Sequence, residues 1–164
     1  MPQWSAGAGA GIGFAADERG APLAPWATLG ARADVLFGQK RPPDLGVGPA
    51  VLATTSWFGD ARLLTGPTFF LPLAEPFGVG GTVGAGLWLA PGGAEPAIGA
   101  RALLGARGFN YLGSYSMAGG VELGFDRSLG SASRTALSAQ LQIDGALLAI
   151  PFLWAVTALR DGIR

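Results

Sequence analysis

The chain contains no cysteine and no histidine. Their absence removes disulfide frameworks, thiolate nucleophiles, imidazole acid–base catalysis and the usual zinc ligand sets. Lysine is nearly as scarce. Lys40 stands alone beside Arg41-Pro42-Pro43, a setting that reads as a solvated turn charge and gives little basis for a Ser–Lys catalytic pair. Charged residues are 13% of the chain and balanced, 11 basic against 11 acidic. There is no basic surplus to neutralise phosphates, so nucleic acid is not an expected partner. Glycine-rich runs such as residues 7–13 lack the strand-to-helix setting of a phosphate loop. The expectation is a protein without catalytic residues, cofactor or metal. The start Met1-Pro2-Gln3-Trp4 has no charged segment followed by an apolar one, so an export signal would have to precede it.

Glycine is abundant, at 28 of 164 residues, a length that suits a single domain, 1–164. The glycines fall inside alternating apolar segments rather than in low-complexity tracts. Phe77–Ala90 displays the rule: Phe77, Val79, Val83, Ala85, Leu87 and Leu89 share one parity, with Gly81 the only gap. Gly78, Gly80, Thr82, Gly84 and Gly86 share the other. A period of two is that of a β-strand, whose successive side chains point to opposite faces. The same pattern predicts strands over Gln3–Ala16 and over residues 25–38, 45–58, 96–108, 115–125 and 135–143. Residues 63–73 form a poorer candidate, apolar on both faces and holding Pro67 and Pro72. Polar stretches separate the segments, including 17–20, 39–44, 59–62 and 126–134, and Asp144-Gly145 offers a hairpin turn. The apolar run 146–159 reads either as a ninth strand or as a helix capped by Asp144. The fold expected is all-β: a small antiparallel up-and-down barrel of about eight strands, within a range of 8–10.

Five charged residues fall on the predicted strands, Arg32, Asp34, Arg101, Arg107 and Glu122, and all lie on the glycine-bearing face. Gln140 and Gln142 join them as candidates for a polar network inside the barrel. A soluble barrel would turn the oily face inward, but a water-facing surface usually carries roughly 25–35% charge, far more than the glycine face offers. Transmembrane helices fit poorly, because the long oily stretch 63–90 is interrupted by prolines and alternating glycines. The aromatics add a spacing argument. Trp4 and Phe14 lie ten residues apart on one face, as do Tyr115 and Phe125. Ten residues of tilted strand rise about 25 Å, the height of the apolar band between aromatic girdles. Trp4, Phe14, Phe37, Trp57, Tyr115 and Phe125 are the candidate membrane-interface aromatics, with lipid the expected surrounding. Trp26, Phe58 and Trp88 point to the other, interior side.

In strand length, inward Arg and Glu residues and overall size, the chain resembles the small outer-membrane β-barrel proteins of the OmpA/OmpX-like class. The resemblance covers most of residues 3–143 and is architectural. It implies the outer membrane of a Gram-negative bacterium, although such barrels usually finish on a terminal aromatic and this sequence finishes Leu159-Arg-Asp-Gly-Ile-Arg164. The function expected is that of a membrane-anchored structural or interaction barrel with a packed polar interior. A small anion-permeable pore using Arg32, Arg101 and Arg107 is one alternative, and a soluble barrel binding an apolar ligand is another. Register arithmetic across the bend near Tyr111 and Leu112 sets Arg101 or Gly99 opposite Glu122. Both registers predict an interior Arg101–Glu122 ion pair, with Gln140 as a further partner.

Overall fold

A computed structural model describes residues 1–16, 24–41, 44–56, 59–74, 77–108, 117–131, 133–145, 148, 154 and 156–160. Eight strands follow one another: β1 (Gln3–Ala16), β2 (Ala24–Leu36), β3 (Gly46–Ser56), β4 (Asp60–Ala74), β5 (Phe77–Ala90), β6 (Gly93–Gly108), β7 (Met117–Ser128) and β8 (Thr135–Asp144). Each pairs antiparallel with the next, and β8 returns to β1, from Gly7↔Asp144 to Ala16↔Thr135, closing the barrel. Closure leaves no unpaired sheet edge. Both ends of the strand series, Gln3 and Asp144, lie at one mouth, called here the terminal mouth; the other is the far mouth.

The alternation of the sequence becomes an inside and an outside. The oily parity points out, with Trp4 53%, Leu104 62% and Leu141 64% exposed. The glycine-bearing parity points in and carries the charges, with Arg101 and Glu122 each 4% exposed. This reverses the arrangement of a soluble protein, in which charged side chains are almost never fully buried. An eight-stranded barrel has room inside only for side chains, and here large ones take it up. Leu36 and Phe70 fill the terminal end, while Leu52, Leu64 and Trp88 cluster with Ala97 and Ala136 toward the far end. These inward Leu and Phe residues explain why the β4 segment looks oily on both faces. Gly81, the one gap in the outer face of β5, is covered by a neighbour: a Cβ there would stand 2.5 Å from the Phe69 ring. An aromatic lying across a strand glycine is a recurrent way of sealing such a gap.

Three features differ from the sequence reading. β4 begins at Asp60 and β7 runs to Ser128, so residues assigned to turns lie on the wall. Asp144-Gly145 is not a hairpin turn. Asp144 ends β8 with its carboxylate accepting the Ala118 N–H at 3.1 Å, and Gly145 is already helical. Leu148, Trp154 and residues 156–160 are helical too, which settles the tail against a ninth strand where it is described. Among the described residues no helix is long and apolar enough to cross a membrane, a statement that does not concern strands.

Candidate functional site

Eight of the inward charges form one chain of alternating sign that runs from mouth to mouth. At the terminal mouth Arg107 (β6) donates to Asp34 (β2) at 2.7 Å, and Arg32 Nε donates to the other Asp34 oxygen at 2.9 Å. Arg32 then reaches Glu122 (β7) at 3.3 Å, and Glu122 lies 3.7 Å from Arg101 Nε (β6). Arg101 grips Asp126 with both terminal nitrogens, at 2.6 and 2.9 Å. Asp126 also accepts from Arg62 (β4) at 3.2 Å, and Arg62 ends the series on Asp60 at 3.4 Å, at the far mouth. Every internal guanidinium in this series is flanked by carboxylates and every internal carboxylate by guanidiniums. Positive and negative groups are equal in number.

Neutral groups brace the chain. Arg32 donates to Thr68 at 2.9 Å, and Thr68 is hydrogen-bonded to Thr82 at 2.7 Å. Arg101 reaches Thr54 at 3.3 Å, Arg62 donates to Ser56, and Arg107 reaches the Gln3 carbonyl at 3.4 Å. Arg62 also lies over the Trp88 ring, 5.0 Å from its centroid, within cation–π range. Such bracing matters because a buried ion pair repays its desolvation only when the remaining donors and acceptors are also satisfied.

All seven residues expected in the interior network point inward: Arg32, Asp34, Arg101, Arg107, Glu122, Gln140 and Gln142. Their partners differ in part from those expected. Arg101 faces Gly124, and Leu103 faces Glu122, a register two residues away from the nearer one anticipated. Gly124 is what lets the arginine reach sideways. A Cβ at that position would stand 3.1 Å from Arg101 Nε, so the bare glycine makes room for the side chain to lie across it toward Glu122 and Asp126. The Arg101–Glu122 contact therefore exists, but it is the looser of the two that Arg101 makes. Gln140 stands opposite Glu122, yet the hydrogen bond to Glu122 comes from Gln142 at 3.2 Å. Gln140 instead accepts from Gln142 at 3.3 Å.

Asp60, Arg62 and Asp126 are network members that the sequence reading placed in turns. Their signal was parity: Arg62 is in phase with Thr68, and Asp126 with Glu122. Of the aromatics proposed for the outer rim, Trp4, Phe37 and Phe125 are exposed and Phe14 half-buried. Trp57 and Tyr115 lie outside the described residues, as does Phe58. Trp26 and Trp88 are on the interior side, with Trp88 fully buried.

No protein-family model, no curated protein and no solved structure matches the chain. Its reading rests on its own geometry. Among the described residues no group of three or more potential ligands is placed to hold a metal. What the arrangement does is mechanical. It ties β2, β4, β6 and β7 together across the lumen, including β2 to β6, which stand four strands apart in the ring.

Proposed function

We propose that this chain is an integral outer-membrane β-barrel of a Gram-negative bacterium, with a structural or interaction role rather than catalysis or conduction. The observation that carries the proposal is the inverted distribution of side chains: a chain of ion pairs fills the interior while Leu, Val, Ile and Phe cover the outside. An exposed apolar surface larger than a few hundred Å² marks a membrane or protein contact, and here the oily belt encircles the barrel. A closed barrel satisfies its backbone hydrogen bonds internally, as hydrocarbon surroundings require. The same orientation is opposite to the one that a soluble barrel with an apolar binding core needs.

The filled interior favours an anchor over a pore. Arg32, Arg101 and Arg107, the residues an anion path would use, are each engaged by a carboxylate. The void beside Ser5, Arg32, Asp34 and Arg107 is about 20 Å³, room for about one water. The deciding experiment is purification with and without detergent, followed by gel migration of unheated and boiled samples. A detergent-dependent protein that migrates faster unheated is the expected result. A monodisperse detergent-free monomer would overturn the proposal.

A further inference from the structure

We infer that the segment after β8 is a second lipid contact, immersed in the leaflet beside the terminal mouth, a reading that rests on the membrane setting proposed above. β8 ends at Asp144, and beyond it Gly145, Leu148, Trp154 and residues 156–160 are helical. From Leu148 on, each described residue of this tail is exposed. Trp154, Leu159 and Val156 are 77%, 67% and 63% exposed, comparable with the barest positions of the oily wall. Residues 156–160 are open without a break. They exceed one helical turn of about 3.6 residues, so every side of this stretch is bare and no face of it packs on the barrel.

Chemistry limits what can cover the tail. The run 146–159 holds no charged residue, and Thr157 is its only hydroxyl-bearing one. A helix apolar on all sides belongs in a protein core or in a membrane. Docking in a groove covers a single face and would leave the remaining oily side chains in water. The level at which the tail begins favours lipid. Trp4, Phe37 and Phe77, all exposed, stand on the outer wall at the terminal mouth, on β1, just after β2 and at the start of β5. Aromatics at one height mark the boundary between headgroups and hydrocarbon. Ile143, the last outward residue of β8, is exposed at the same end, so the tail leaves the wall at that boundary. As a helix the run 146–159 would be about 21 Å long, short of the roughly 30 Å of a hydrocarbon core. It therefore stays within the leaflet it enters. Trp154 carries an indole of the kind that settles at the headgroup level, and the exposed Arg160 closes the run with a charge able to extend to the polar surface.

The absence of cysteine makes the tail open to site-specific labelling. Trp154→Cys, Val156→Cys, Thr157→Cys, Ala158→Cys and Leu159→Cys are made singly in the full chain. Leu123→Cys on the exposed wall and Gly92→Cys in the β5–β6 turn serve as references. Each carries a nitroxide and is reconstituted into vesicles of phosphatidylcholine and phosphatidylglycerol, its fold checked by unheated gel migration. Collisions with oxygen, which concentrates in hydrocarbon, and with a water-soluble nickel chelate place each label. At all five tail sites the ratio of oxygen to nickel accessibility is expected to exceed that of Gly92→Cys several-fold and to approach that of Leu123→Cys. Tail sites that match Gly92→Cys while Leu123→Cys is lipid-accessible would overturn the inference and leave the membrane proposal standing. Shielding from both reagents at every third or fourth tail site would mean that protein covers it, a second copy included, and would overturn it too. If Leu123→Cys is itself nickel-accessible, both readings fall. A label-free measurement guards against the nitroxide drawing the segment into lipid. The fluorescence lost in Trp154→Phe, taken as a difference from the parent, should be quenched by lipids brominated on their acyl chains and left unchanged by aqueous iodide. Quenching by iodide alone would overturn the inference.

Discussion

Asp126 is the point at which the interior chain is most vulnerable. It is 1% exposed and accepts from Arg101 at 2.6 and 2.9 Å and from Arg62 at 3.2 Å. Asp126→Asn keeps the volume and removes the charge, which leaves two buried guanidiniums without their shared anion. Removing one member of a buried pair costs about 3–5 kcal/mol, and the double load puts this substitution at the upper end. Glu122→Gln should cost less, about 1–3 kcal/mol, because the contacts of Glu122 to Arg32 and Arg101 are longer, at 3.3 and 3.7 Å. Adding Arg101→Met to Asp126→Asn removes one stranded cation but leaves Arg62 with only Asp60. Recovery should therefore be partial, with a coupling of about 2–3 kcal/mol. The assay is urea unfolding in lipid vesicles, with the folded fraction read from unheated gel migration. The reasoning fails if Glu122→Gln costs more than Asp126→Asn. It also fails if the Arg101 and Asp126 substitutions add to within about 0.5 kcal/mol.

Three further outcomes are expected. Leu87→Arg and Leu123→Arg, on the outer wall at 45% and 56% exposure, should each cost about 2–4 kcal/mol in vesicles if these positions face the bilayer midplane; tolerance typical of a water-exposed site would contradict that. In planar bilayers the purified protein should give no steady current, and large stable anion-selective steps would require the arginines to be free of their carboxylates. A Cβ at Gly11 would stand 1.9 Å from the Ala139 carbonyl, whereas one at Gly92 would meet nothing within 4 Å. Gly11→Ala should therefore lower the unfolding midpoint clearly, while Gly92→Ala should stay within about 0.5 kcal/mol of the parent.

The wall of this barrel was legible because a two-residue period survives translation into structure: Phe77–Ala90 alternates in sequence and alternates between exterior and interior. The ends of strands were less legible, and for a chemical reason. Charged residues near a glycine or proline look like turns, and Arg62 and Asp126 were read so. In a barrel whose polar side faces inward, a charge at the right parity is instead evidence that the strand continues. Pairing partners were the least legible. Arg101 was expected either opposite Glu122 or diagonal to it, but a shift of two residues preserves every inward position and changes only the neighbours. Which carboxylate a long arginine selects then depends on where glycine leaves space, as Gly124 does.

Three of the seven links of the ion-pair chain join strands distant from one another around the ring: β6 to β2, β2 to β7, β4 to β7. A partly assembled sheet cannot make them. Until β8 meets β1, these three links have no opposite wall to form on, although the Arg101–Asp126 pair of the adjacent strands β6 and β7 can form earlier, and hydrocarbon offers the remaining charges no substitute. In the bilayer proposed here, such a ribbon carries a penalty that grows with each inserted strand and disappears only when the ring closes. Insertion and closure are thereby bound into a single cooperative step, and the polar interior acts as a check on completion.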